Sequence, residues 1–245
     1  MTMTTPTAEM SPLFKARMGG ACWLMCFITS IFPLVVSGKL VVPGDAATTA
    51  TNLLANEGLF LSGTALLLIS TAFYVGATLF VYEVLKPVNR SLSLLAAFFS
   101  LVGCAVGALS CLFDFAPFVV LKGAPYLSVF TREQLQALAY MFLAVRAQAN
   151  SIGLVFFGLH CLGVGYLIFR STFLPRIIGV LMMFAGVGWL TFLSPPLANS
   201  VAPFNMIPGA IGELSLTLWL LVKGVNVQRW TEQETGRGTR GDTAP

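Results

Sequence analysis

Six apolar runs, at about 19–37, 59–82, 91–113, 150–169, 175–193 and 203–223, decide what this sequence can become. A helix needs about 20 apolar residues to cross the ~30 Å hydrocarbon core of a bilayer, and each run approaches or exceeds that length. The runs are apolar on all sides, without the alternation of a half-buried strand. In lipid every backbone N–H and C=O must be bonded internally, which favours helices over open strands. The expected fold is an all-α integral membrane protein with six transmembrane helices. Composition removes the soluble alternative. Only 10% of the 245 residues are charged and the mean hydropathy is +0.83, against roughly 25% charged residues in a soluble domain.

The polar segments between the runs set the organisation. Residues 1–18 are expected to form a cytoplasmic tail, with Lys15 and Arg17 just ahead of the first run. That run is longer than the ~7–15 residues of a signal-peptide core, and no A-x-A site follows it closely, so it reads as a span. Residues 19–223 form a single membrane domain, and 224–245 read as a disordered cytoplasmic tail. The two tails and the second and fourth connections carry Lys15, Arg17, Lys86, Arg90, Arg170, Arg176, Lys223, Arg229, Arg237 and Arg240. The opposite side carries Lys39, Lys122, Arg132 and Arg146. Basic residues accumulate on the cytoplasmic side, so ten against four places both termini there.

The outer side is expected to carry two additional amphipathic helical segments. One opens at Asp45, a plausible N-cap, ahead of the second span. The other opens at Thr131-Arg132-Glu133-Gln134, which matches a capping box. A continuous helix from there to residue 169 would be about 57 Å long, far beyond the hydrocarbon core. The segment therefore protrudes, lies in the interface or breaks near Asn150-Ser151, and an interfacial amphipathic helix is the preferred reading.

Ionisable side chains at membrane depth are costly and are functional candidates by default. His160 and Glu213 fall near the middle of the fourth and sixth spans. Glu57, Asp114 and Arg146 fall near the outer boundary, where Asp114 and Arg146 are expected to pair. These five are the candidate lining of a polar cavity. His160 shares a face with Gly153 and Gly163, and Glu213 with Gly209, Ala210 and Thr217. Such small-residue faces admit a neighbouring helix. His160 is either a proton-handling group or ligand, or a histidine hydrogen-bonded within the bundle. Glu57, Thr64, Thr71 and Thr78 recur every seven residues, and the threonines are expected to bond their own helix. Gly103 and Gly107 suggest a close helix contact.

The five cysteines all lie in apolar runs, which argues against a disulfide framework and against paired-cysteine metal sites. No metal is expected. No basic patch with interleaved aromatics points to nucleic acid. Phosphate-loop, zinc-protease and serine-hydrolase motifs are absent.

Several stretches together resemble a known family. They are Val42-Pro43-Gly44-Asp45-Ala46-Ala47, Glu57-Gly58-Leu59-Phe60, YEVLKPVN from Tyr82, the segment Gly153 to Arg176, and GELSLTLWLLVKGVN from Gly212. The chain resembles a bacterial multi-pass inner-membrane family catalogued as a domain of unknown function. That resemblance implies a bacterial inner-membrane home and six helices, and no activity. The functional expectation is a bundle with an outward-opening polar cavity that binds a small molecule or lipid, with membrane lipid as its partner. The alternatives are an enzyme or narrow transporter using His160 and Glu213, and a non-catalytic scaffold or sensor.

Overall fold

The computed structural model describes residues 10–241, with side chains to residue 236. Those residues form helices, turns and loops, with no strand among them. The long helices are α1 (Pro12–Leu40), α3 (Glu57–Leu85), α4 (Arg90–Ser110), α6 (Arg132–Arg170), α7 (Arg176–Leu190) and α9 (Met206–Val222). Shorter ones are α2 (Ala46–Ala55), α5 (Leu112–Leu121), α8 (Pro195–Val201) and α10 (Val227–Gly241).

The long helices close into a ring. Each packs on the next in the order α1, α3, α4, α6, α7, α9, and α9 returns to α1. Large apolar side chains cover the outside, among them Ile31, Leu34, Leu79, Phe98, Phe184 and Leu218. An apolar exterior all around suits lipid rather than water. One end of the ring has tight connections at 86–89, 171–175 and 223–226 and is called the turn end. The other, with the long connections that contain α2, α5 and α8, is the loop end.

Glycines set how closely the ring closes. Gly158 faces Gly186 and Gly165 faces Gly179, so α6 and α7 run antiparallel with their backbones in contact. A Cβ on Gly165 would lie 2.6 Å from the Met183 amide nitrogen and 2.7 Å from the Gly179 carbonyl oxygen. No side chain fits there. Small residues replace hydrophobic drive as the basis of helix association in lipid.

Among the described residues five helices are candidates to cross a membrane, or six if a broken pair is counted as one span. Helix α1, α3, α4 with α5, α6, and α7 with its following 3-10 turn are each long and apolar enough to span. The sixth run, 203–223, folds as α9, which follows α8 across a short break with a bend of 81°. The expected third span, 91–113, continues through a break at Cys111 into α5.

Two expectations are overturned. The segment 131–149 does not break from the fourth span. The capping box forms, with Thr131 Oγ1 accepting from Gln134 N and Gln134 Oε1 accepting from Thr131 N, and the helix then runs 39 residues without interruption. No Gly or Pro occurs between Arg132 and Gly153, so nothing stops propagation once the cap has nucleated it. The C-terminal segment is not disordered over its described part. Asn226 accepts from Arg229 N, α10 follows, and Trp230 is buried with its indole N–H donated to the Val84 carbonyl at 2.9 Å. Residues 242–245 lie outside the described residues.

Candidate functional site

The centre of the ring holds a polar and aromatic cluster drawn from five of its helices. Glu213 on α9 is 6% exposed. Its Oε1 accepts the Trp189 indole N–H from α7 at 2.8 Å and faces the Cys161 thiol of α6 at 3.8 Å. Trp189 reaches Glu213 because its ring lies directly on Gly209, where a Cβ would collide with it. Gly209 stands one helical turn before Glu213, so the missing side chain and the acid form one unit. The Trp23 indole of α1 also faces the Glu213 carboxyl, yet its N–H completes no hydrogen bond. The Tyr74 hydroxyl of α3 lies within electrostatic reach of Glu213 and is likewise buried without a partner.

His160 belongs to the same cluster but faces another way. Its ring lies 6.2 Å from both Trp23 and Tyr74, centroid to centroid. Its Nδ1 lies 2.9 Å from the Ala96 carbonyl oxygen of α4. A carbonyl can only accept, so Nδ1 carries the hydrogen and donates it. Gly163, against the Ala96 Cβ, permits the close approach that makes this bond. Gly103 meets the Gly153 carbonyl on the same seam, while Gly107 faces open space. Among the described residues, His160 and Glu213 share no hydrogen bond. The structure brings them to one cluster and commits each to a different partner.

The loop end holds a second buried acid. Asp114, at the start of α5, has a side chain 1% exposed. Its Oδ1 lies 2.6 Å from Arg146 Nε of α6, and its Oδ2 accepts from Thr64 Oγ1 at 3.0 Å. The expected Asp114–Arg146 pair therefore forms. The contact is close but poorly aligned, since neither atom meets hydrogen-bond geometry. Beside it runs a crevice lined by Pro33, Val36 and Ser37 of α1, Phe60, Gly63, Thr64 and Leu67 of α3, and the Asp114–Arg146 pair. It is too tight to admit a water molecule. Glu57, His160 and Glu213 do not line it. Glu57 instead pairs with Lys122 at 2.7 Å, largely in the open.

The remaining polar groups are structural. Thr71 and Thr78 each donate to the carbonyl four residues earlier, Thr78 also pairs with Ser100 at 2.6 Å, and Thr64 gives its hydrogen to Asp114 instead. At the turn end, Lys15 and Lys86 flank Glu83 at 3.0 and 3.5 Å. All five cysteines are free. Among the described residues, no group of three or more His, Cys, Asp or Glu could hold a metal ion. Trp23, Tyr74 and Trp189 were not singled out by sequence reasoning. An aromatic side chain in an apolar run looks the same whether it faces lipid or the ring centre.

A family model matches residues 18–224. The chain belongs to the DUF4386 family, a domain of unknown function. An uncharacterised protein of Archaeoglobus fulgidus is 24% identical over 143 residues, which is 58% of this chain and 72% of that protein. No solved structure matches. The DUF4386 match contains all five candidate residues and the whole central cluster. It stops before α10, so the Trp230 clasp on α3 lies beyond the family's match.

Proposed function

We propose that this DUF4386 protein is a multi-pass protein of the bacterial inner membrane, both termini cytoplasmic, that binds a lipid or small amphiphile from the outer side. The orientation rests on the basic residues, which gather at the turn end. The observation that carries the binding reading is the loop-end crevice, with apolar walls and the Asp114–Arg146 pair at its edge. Ligand sites in helix bundles combine apolar walls with a few fixed polar groups. The crevice sits beside Pro33 inside α1. A proline removes one helical hydrogen bond and weakens the helix locally, so α1 has a point at which to part from α3 and admit a guest.

Two observations weigh against His160 and Glu213 acting together in catalysis or transport. His160 is committed to the Ala96 carbonyl, and Glu213 to Trp189. The test is native mass spectrometry of the purified protein released from nanodiscs, with a set of lipids and amphiphiles added. Retained lipid is expected for the unaltered chain. Ser37→Trp at the crevice should lose it while the helix content by circular dichroism is kept. Equal retention by Ser37→Trp would sink the crevice as the site.

A further inference from the structure

Buried donors without acceptors are rare in folded proteins, and each calls for an explanation. Here two of them lie in one cluster: Trp23 Nε1 faces the Glu213 carboxyl, and the Tyr74 ring, whose hydroxyl is the other, packs on Trp23 at 5.6 Å between centroids. That carboxyl already accepts from Trp189 and faces Cys161. Of the titratable groups on the surrounding helices, Cys161 on α6 faces Glu213, and Cys26 on α1 and Tyr74 on α3 lie within electrostatic reach of it. Trp189 is what α7 presents, and it does not titrate. Cys104 of α4 acts on Tyr74 rather than on Glu213, and His160 is turned to Ala96. No lysine or arginine among the described residues acts on Glu213.

This arrangement suits two states. An ionised carboxyl deep in an apolar ring lacks the cation that would balance it, but neutral donors from three sides offset part of the loss. A protonated carboxyl needs fewer donors and one acceptor for its own hydrogen. Tyr74 supplies either need, because a phenol both donates and accepts. Trp23 can donate only, so it serves the ionised form. The unpartnered groups are therefore the partners of whichever state is not occupied.

We propose that Glu213 is a proton-binding site at the centre of the helix ring, exchanging H⁺ with water and shifting between Trp189 alone and Trp189 with Trp23 and Tyr74. The step is the reversible addition of one proton to one carboxylate oxygen, with no other bond made or broken. It does not depend on the loop-end crevice.

The test is infrared difference spectroscopy of ¹³C-glutamate-labelled protein in nanodiscs between about pH 5 and pH 9. One protonated-carboxyl C=O band should appear as pH falls, and it should be missing in Glu213→Gln. Trp23→Phe removes a donor that favours the ionised form, so it should tighten proton binding about tenfold, one unit in midpoint. A band that is constant over the whole range, or that titrates unchanged in Glu213→Gln, overturns the proposal. If Glu213→Gln does not fold, Trp23→Phe and Tyr74→Phe decide it. A midpoint that neither variant moves also overturns it.

Discussion

Asp114 and Glu213 are 0% and 6% exposed, and the fold surrounds them by different means. Asp114 is met by an opposite charge, the Arg146 guanidinium, and by one hydroxyl. Among the described residues Glu213 is met by neutral groups, two indoles and a thiol. A charge pair fixes the ionisation of both members, because removing either leaves an uncompensated charge. Neutral donors fix geometry without fixing charge. The first site therefore reads as a brace between α5 and α6, and the second as a place where charge can change.

The largest effect should come from breaking the brace. Arg146→Ala leaves Asp114 buried and alone, and should cost about 3 kcal/mol, the low end for such a loss because Arg146 itself is part-exposed. Adding Asp114→Asn to that variant should recover part of the stability. Thermal unfolding in detergent measures both, and an unchanged midpoint for Arg146→Ala would show the pair to be idle. Next comes the neutral site. Trp189→Phe removes one hydrogen bond to a carboxyl and should cost about 1.5 kcal/mol. Trp23→Phe deletes a donor that completes no bond, so it should be near neutral in stability. Equal losses for the two indoles would break the contrast between them.

Exposed charges should matter less. Glu57 and Lys122 pair in a largely open position, and Glu57→Gln should change stability by under about 0.5 kcal/mol. The smallest effect belongs to Asp45, which caps α2. Hydrogen bonds from the Thr48 side chain and backbone hold its carboxyl below the ordinary aspartate range. The folded state therefore favours the charged form. That support is complete above the ordinary aspartate value and is lost as pH falls through the lowered one. Protection from hydrogen exchange at the start of α2, taken relative to the intrinsic amide rate at each pH, should fall on acidification, and in Asp45→Ala it should lose that pH dependence.

Much of the helix plan was legible because hydropathy is a long-range signal averaged over about 20 residues. The turns at Lys86-Pro87 and Pro175-Arg176 were readable for the same reason, since proline stops the continuing helix. The length of α6 was misjudged because Arg146 to Ser151 looks like a water boundary. A polar patch alone does not end a helix; that takes a Gly, a Pro or a competing cap, and none is present there. For α10 the error ran the other way. A polar, Gly-containing segment reads as disordered, but one tryptophan with a carbonyl to bond is enough to dock it. His160 and Glu213 stood out as ionisable groups in apolar runs. Which partners they take depends on Gly163 and Gly209, and a glycine announces a close approach without naming what approaches.

The uninterrupted α6 also works as a ruler. Between Arg146 and Arg170 it carries no Asp, Glu, Lys or Arg, and that interval is about 36 Å of helix, close to the thickness of a hydrocarbon core with its edges. Its two arginines bound an uncharged stretch of that length. Cys161, which faces Glu213, stands about 14 Å along the axis from the Arg170 mark and about 22 Å from the Arg146 mark. The carboxyl therefore lies nearer the turn end, where α1 begins and α10 packs.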